Sequence, residues 1–304
     1  MINIEEIFNV GIGTYRMTYN SLENIESINY GINKGINLID TASNYLNGDS
    51  EKNKKKIEME RDSVFIVSKV GYITPIISEG FKFKSEEVYF KDDKSPFHCI
   101  SSDYIKFQIE NSLKRCNLDY LDCYLLHNIE YSIKNKESVD KIEILDKAFS
   151  TLEKLVKEGK IRYFGISSNE LYNTNILSLT ELFFFKEKYP NFQFLQIPFN
   201  LIEGNEYIEE YKKIGFHILS NRPLNTNFNN KSLRLSFFKL TDSREFLIKR
   251  ENELFNKFLR LIKVHLVDIG EIGSLEEFLP LNYLIKNRLN FGNIEAFEVY
   301  FGNY

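Results

Sequence analysis

At 304 residues, 43% hydrophobic and 27% charged, the chain has a globular composition and enough length to bury a large core. A net charge of -4 gives no reason to expect nucleic acid or an anionic membrane as partner. No stretch approaches the ~18 consecutive apolar residues of a membrane span, and Met1 to Glu6 carries acids where a signal peptide would be basic and then apolar. The three cysteines, Cys99, Cys116 and Cys123, form no CxxC and have no histidine at ligand spacing, which argues against a metal site and for a reducing compartment. The expectation is a soluble, cytoplasmic protein without metal.

Phe8 to Tyr15 reads as a strand carrying Gly11 and Gly13. Ser21 caps a helix to about Lys34, with Leu22, Ile25, Ile28 and Ile32 at helical spacing and Gly35 closing it. Asn37 to Ile39 is a short buried strand, so the chain opens with a strand-helix-strand unit. Asp49 to Glu58 reads as a short polar helix, and the run Glu51 to Lys56 as a solvated face. Ser63 to Val70 is an apolar strand of the kind buried on both faces of a parallel sheet.

Gly71 to Ile100, with Pro75 and Pro96, reads as a long irregular loop. Ser101 or Ser102 caps a helix to Cys116, Leu121 to Leu126 is a strand, Ile144 to Glu158 a helix and Ile161 to Ile166 a strand. Leu171 to Tyr189 reads as mainly helical, Phe192 to Ile197 as a strand, Glu206 to Ile214 as a helix and Phe216 to Leu219 as a strand. A loop with extra helices over Asn221 to Gly273, a helix over Leu275 to Lys286 and a last strand over Ala296 to Phe301 complete the pattern. Eight strands alternating with helices imply parallel strands, right-handed crossovers and a closed (β/α)8 TIM barrel in a single domain over 1–304. Gly11 and Gly13 lack the third glycine of a dinucleotide fingerprint.

In such barrels chemistry sits where strands end. The polar residues at those ends are Asp40 with Tyr45 in the following loop, Lys69, His127, Ser167 with Ser168, Gln196, and Asn221 with Arg222. Each has an ordinary reading: Asp40 as a turn cap, Lys69 emerging to solvent, His127 hydrogen-bonded in a core, Arg222 on a surface. Together, an acid, a phenol, an amine and an imidazole at successive strand ends would face one mouth. His98 and His217 carry no assignment.

The chain resembles the aldo-keto reductase family. The resemblance rests on Gly11-Ile12-Gly13-Thr14, on Gly35 to Tyr45, and on Gly48-Asp49-Ser50-Glu51. It continues through Ser68-Lys69-Val70-Gly71, Ser112 to Arg115, Leu118 to His127, Glu158 to Ser168 and Gln196, all in family order. It implies a catalytic tetrad of Asp40, Tyr45, Lys69 and His127, in which Tyr45 donates a proton, Lys69 stabilises the phenolate, Asp40 pairs with Lys69 and His127 orients the carbonyl. It implies NADPH as cofactor, with NADH as the alternative, held by Gly13, Thr14, Asp40, Ser167, Ser168, Gln196, Asn221 and Arg222. The implied function is reduction of a small-molecule aldehyde or ketone.

The resemblance also implies a departure. Two residues follow Gly302 at the end of strand eight, where the family continues into a helix that grips the adenosine phosphate. A barrel lacking that C-terminal helix admits a second reading, a non-catalytic binding or regulatory member with weakened cofactor binding. A third is an oligomer or partner that covers the open barrel end.

Overall fold

The computed structural model describes residues 1–52, 57, 59–92, 95–134, 136–172, 174–200, 207–223, 225–228 and 231–234. The chain divides into two compact units: Met1–Ile197 with Asn205–Asn221, and Pro198–Gly204 with Arg222–Tyr304. In the second unit, β10 (Asn225–Phe228) pairs antiparallel with β11 (Lys231–Arg234). The expected helix Leu275 to Lys286 and the last strand Ala296 to Phe301 lie outside the described residues, and a single domain over 1–304 reaches equally far beyond them.

The first unit is built on a parallel sheet. Its strands are β1 (Ile12–Gly13), β2 (Leu38–Asp40), β3 (Phe65–Val70), β6 (Leu121–His127), β7 (Ile161–Ser167), β8 (Phe192–Pro198) and β9 (His217–Asn221), hydrogen-bonded in that order. Helices follow the strands: α1 (Leu22–Asn33), α2 (Asp49–Lys52), α3 (Ser102–Cys116), α4 (Glu130–Ile133), α5 (Ser138–Lys157), α6 (Leu179–Lys188) and α7 (Ile208–Ile214). Every residue of β3 and of β6 is buried, as strands covered on both faces must be.

The two faces of this sheet are two separate cores. Ile39, Ile66, Val70, Tyr124, Leu126, Phe164, Ile166, Leu195 and Ile197 point to the side that packs on the helices. The residues between them, Phe65, Val67, Cys123, Leu125 and Phe194, make a second cluster with Leu38, Tyr163 and Leu219. Ile2, Ile4 and Ile7 from the N-terminal segment pack into that inner cluster. Gly165 belongs to the inner row by its parity, and a Cβ there would overlap the Phe194 carbonyl and sit 2.9 Å from Leu125 Cδ2. Only glycine allows that approach.

Local signals account for the helix starts. Ser21 Oγ accepts from Asn24 N at 3.2 Å, and Ser101 Oγ accepts from Tyr104 N at 3.4 Å. Ser178 and Glu181 form a capping box, which starts α6 at Leu179. The expected helix over Leu171 to Tyr189 is therefore shorter, and turns precede it. In contrast, α5 begins at Ser138, earlier than the expected Ile144. Its extra turns are held by Lys141, which is buried and paired with Glu181 at 2.8 Å. The first strand is also shorter than expected, Ile12–Gly13 in place of Phe8 to Tyr15.

The largest correction falls on Gly71 to Ile100. This stretch holds an antiparallel hairpin, β4 (Val88–Asp92) and β5 (Ser95–Cys99). Pro96 suggests a loop, yet proline is tolerated on a two-stranded ribbon where its nitrogen need not donate. The hairpin also joins the segment after β3: Cys99 N donates to Gly71 O at 2.8 Å, and Ile73 N to Phe97 O at 2.9 Å.

Candidate active site

Strand parity assembles the site. The inner rows read Leu38, Asp40 on β2; Phe65, Val67, Lys69 on β3; Cys123, Leu125, His127 on β6; Tyr163, Gly165, Ser167 on β7; Phe194, Gln196 on β8. In each row a polar residue stands beyond the members that fill the inner cluster. The register aligns these ends, with Asp40 beside Val67, Lys69 beside Leu125, His127 beside Ser167 and Ser167 beside Gln196. The apolar rows form the floor, and the polar ends converge above it.

Lys69 is fully buried and every ammonium proton has an acceptor. These are Asp40 Oδ2 at 2.7 Å, the Thr41 carbonyl at 2.8 Å and Tyr45 Oη at 3.2 Å. An ammonium has no acceptor capacity, so Tyr45 oxygen must accept in the third bond. The phenolic proton of Tyr45 is thereby directed elsewhere. Burial acts to lower the Lys69 pKa, but Asp40 and Tyr45 outweigh it, and the group stays above its ordinary value. Burial raises the Tyr45 pKa above that of a free phenol, with Lys69 pulling the other way, so Tyr45 keeps its proton at neutral pH.

The loop that carries Tyr45 is held from below. Tyr45 is followed by Leu46 and Asn47, both left-handed at φ 48° and 54°, and by Gly48 at φ 90°. Such a turn persists only when its surroundings over-determine it. Ser50 Oγ donates to the carbonyls of Thr14 at 3.0 Å and Met17 at 3.1 Å. Glu51 is buried, accepts from Arg115 Nε at 2.5 Å and from Ser68 Oγ at 2.6 Å. At Glu51 this corrects the reading of the Glu51 to Lys56 run as a solvated face, while residues 53–56 lie outside the described residues. Glu51 turns inward and ties the Tyr45 loop to α3 and β3.

His127 lies edge-on to Tyr45, with ring centroids 6.0 Å apart, and to Tyr72 at 4.9 Å. Burial, Lys69 and His98 hold its pKa well below the ordinary imidazole value, so the ring is neutral. Its Nδ1 is buried without a hydrogen-bond partner.

His98, which no sequence signal marks, stands behind His127. Its Nε2 lies 2.6 Å from the His127 carbonyl and its Nδ1 2.8 Å from Ser132 Oγ. A carbonyl only accepts, so Nε2 carries the proton and Nδ1 accepts from the serine. Burial pushes the His98 pKa down to about 4. Gly71 makes room for this contact, since a Cβ there would meet His98 Nε2 and lie 2.6 Å from the His127 carbonyl. The hairpin is thus fastened to the end of β6 at the residue whose ring faces Tyr45.

The other expected residues are placed as follows. Ser167 Oγ donates to Gln196 Oε1 at 3.0 Å, and Gln196 Nε2 donates to Asp40 Oδ1 at 2.8 Å. Ser168 is fully buried; its N–H donates to the Gln196 carbonyl at 3.0 Å and its Oγ accepts from Glu170 N at 3.1 Å. Thr14 gives both its N–H and its hydroxyl to the Asp40 carbonyl, at 2.9 and 3.1 Å, so its side chain supports β2. Gly13 pairs with Asp40 across β1 and β2, with open space where a Cβ would stand. Asn221 closes β9, and its Oδ1 is buried with no hydrogen-bond partner. Arg222 belongs to the second unit, has φ 54° and accepts through its carbonyl from Asn200 Nδ2 at 3.3 Å.

Among the described residues, no helix is long and apolar enough to cross a membrane. Cys99, Cys116 and Cys123 are all buried.

Comparison with known proteins follows the same lines. A soybean (Glycine max) protein, probable aldo-keto reductase 1, is 30% identical over 157 residues, covering 51% of this chain and 38% of its own. The Escherichia coli methylglyoxal reductase YeaE is 31% identical over 162 residues, covering 52% and 45%. The chain spans less than half the length of these two relatives in those matches.

Among solved structures, aldo-keto reductase AKR11C1 from Bacillus halodurans in its holo form superposes with a TM-score of 0.52 at 22% identity, covering 70% of this chain and 61% of that one. A Klebsiella pneumoniae aldo/keto reductase in complex with NADP and acetate gives 0.50 at 24%, covering 70% and 63%. These likenesses establish an α/β fold of the (β/α)8 barrel type. The profile of the Aldo/keto reductase family matches residues 9–273, and with that match over most of its length the chain belongs to the Aldo/keto reductase family.

Proposed function

We propose that the chain reduces an aldehyde or ketone to an alcohol, with Tyr45 as proton donor. The observation that carries this reading is the bond from Lys69 to Tyr45. Burial keeps Tyr45 protonated, while the bond aims its proton away from Lys69 and sets a positive charge beside the phenolate that donation creates.

A nicotinamide nucleotide, NADPH in the first instance and NADH as the alternative, supplies the hydride when bound. The residues present fit its carboxamide. Gln196 and Ser167 offer a fixed amide and hydroxyl at adjacent strand ends, with Ser168 next to them. The orphaned Asn221 Oδ1 supplies an unused acceptor on β9. Gly13 and Thr14 complete the proposed cofactor set within the first unit.

Tyr45 gives its proton to the carbonyl oxygen as the carbon takes the hydride, and recovers one from solvent. Lys69 stabilises the phenolate, and Asp40 keeps the buried Lys69 charged. His127, neutral and buried, orients the carbonyl oxygen.

The relatives' printed activities, among them a methylglyoxal reductase, support a small carbonyl compound as substrate. Fluorescence titration with NADPH and NADH, followed by their consumption against a panel of aldehydes and ketones, tests the reading. Micromolar binding and turnover are expected. No binding of either nucleotide overturns it in favour of a non-catalytic family member.

A further inference from the structure

We propose that Gln196 is a positioning residue for the proton donor, linking the place of the nicotinamide carboxamide to Tyr45 through Asp40 and Lys69. The proposal rests on the reductase reading of the same site.

The argument starts from one unbroken chain of hydrogen bonds. Ser167 Oγ reaches Gln196 Oε1 at 3.0 Å, Gln196 Nε2 reaches Asp40 Oδ1 at 2.8 Å, Asp40 Oδ2 meets Lys69 Nζ at 2.7 Å, and Lys69 Nζ meets Tyr45 Oη at 3.2 Å. Ser167, Gln196 and Lys69 are each at most 4% exposed and the Asp40 side chain 23%, so most of this chain of bonds lies in the protein interior.

The direction of every link is fixed by chemistry. The Asp40 carboxylate, paired with an ammonium, only accepts, so Gln196 must turn its NH2 towards it. That places Gln196 Oε1 on the other side, where Ser167 donates to it. The amide of Gln196 is therefore held at both ends.

The consequence lies at Asp40. A carboxylate with one oxygen on Lys69 and the other free turns about its terminal torsion, which is broad. With Gln196 holding Oδ1, the carboxylate plane is set and Oδ2 stays on Lys69. Charge-assisted bonds of this kind are about twice as strong as neutral ones. The Gln196 dipole also offsets part of the Asp40 charge that Lys69 and Tyr45 feel. A group that occupies the carboxamide position and competes for Gln196 or Ser167 thus changes the field at the phenol.

The test needs no turnover. The full-length protein is labelled with 13Cζ-tyrosine, and the Tyr45 signal is identified by its loss in Tyr45→Phe. Spectra are then compared, without nucleotide, for wild type, Gln196→Met and Ser167→Ala. The expected result is displacement of the Tyr45 signal in Gln196→Met, and a smaller displacement of the same sign in Ser167→Ala, with the other tyrosine signals in place. A Tyr45 signal at its wild-type position in both variants overturns the proposal. If Gln196→Met does not fold, Ser167→Ala decides alone by the same criterion.

In the working enzyme, Gln196→Met is expected to lower kcat about tenfold at saturating NADPH. A rise confined to the KM for NADPH marks Gln196 as a cofactor contact only and overturns the proposal. A displaced Tyr45 signal in a protein that consumes no NADPH overturns the reductase reading and leaves the link from Gln196 to Tyr45 standing.

Discussion

Lys69 Nζ stands 3.2 Å from Tyr45 Oη, and this is the third of three bonds that use up its protons. The phenol is an acceptor towards Lys69, which leaves its own proton as the one donated in the proposed mechanism. Replacing Lys69 with methionine keeps the volume and removes both the charge and the direction. Reduction is expected to fall by about 10²–10⁴-fold, with NADPH affinity little changed. Stopped-flow measurement of the hydride step against a nucleotide titration checks this. A variant that keeps its rate would show that the phenol works without the ammonium.

Glu51 and Arg115 form a buried pair at 2.5 Å that also holds Ser68. Breaking a buried pair on one side leaves a charge without a partner, at a cost of about 3–5 kcal/mol. Glu51→Ala is expected to lose stability on that scale and to release the Tyr45 loop. Urea unfolding followed by circular dichroism measures it, through a lower midpoint with an unchanged slope. A midpoint within error of wild type would place the pair's contribution near zero.

Gly71 is a wedge between two histidines. In Gly71→Ala the added Cβ meets His98 Nε2 and the His127 carbonyl, and backbone cannot yield as a flexible side chain does. Overpacking of this kind costs about 1–3 kcal/mol, and here it displaces His127. Activity is expected to fall more steeply than stability. Comparing kcat with the unfolding midpoint separates the two, and a fully active Gly71→Ala would exclude the wedge.

His98 makes stability depend on pH. Its pKa in the folded chain is about 4, against 6.5 for the unperturbed group. Between those values the unfolded chain binds a proton that the folded chain does not, so stability rises with pH. The contribution is fully present above about pH 6.5 and is lost as pH falls towards 4, in all on the order of 3 kcal/mol. His127, held low by its own burial, acts with the same sign. Urea midpoints at pH 7 and pH 4.5 are expected to differ less in His98→Gln than in wild type. Equal differences would mean that His98 titrates normally.

The two-residue period of the strands made much of the site legible. Once Asp40, Lys69, His127 and Gln196 are placed at strand ends, parity alone sends them to one side, with Val67, Leu125 and Phe194 beneath them. Caps were equally readable at Ser21 and Ser101. The hairpin was not, because Pro96 and a mixed polarity hide a ribbon whose register also shifts along its length. Glu51 was hidden inside a run of lysines, since its partner Arg115 lies 64 residues away. His98 was hidden for a related reason: its task is to bind a backbone carbonyl, and a backbone atom leaves no trace in a sequence.

The most direct measurement is the rate of NADPH oxidation by purified wild type and Tyr45→Phe with the same aldehyde at saturating nucleotide. The phenylalanine keeps the ring packed against Tyr15 and His127 and removes the hydroxyl, with its proton and the acceptor of Lys69. The proposed mechanism gives a loss of about 100-fold or more in kcat with nucleotide binding intact. Equal rates in the two proteins would contradict it.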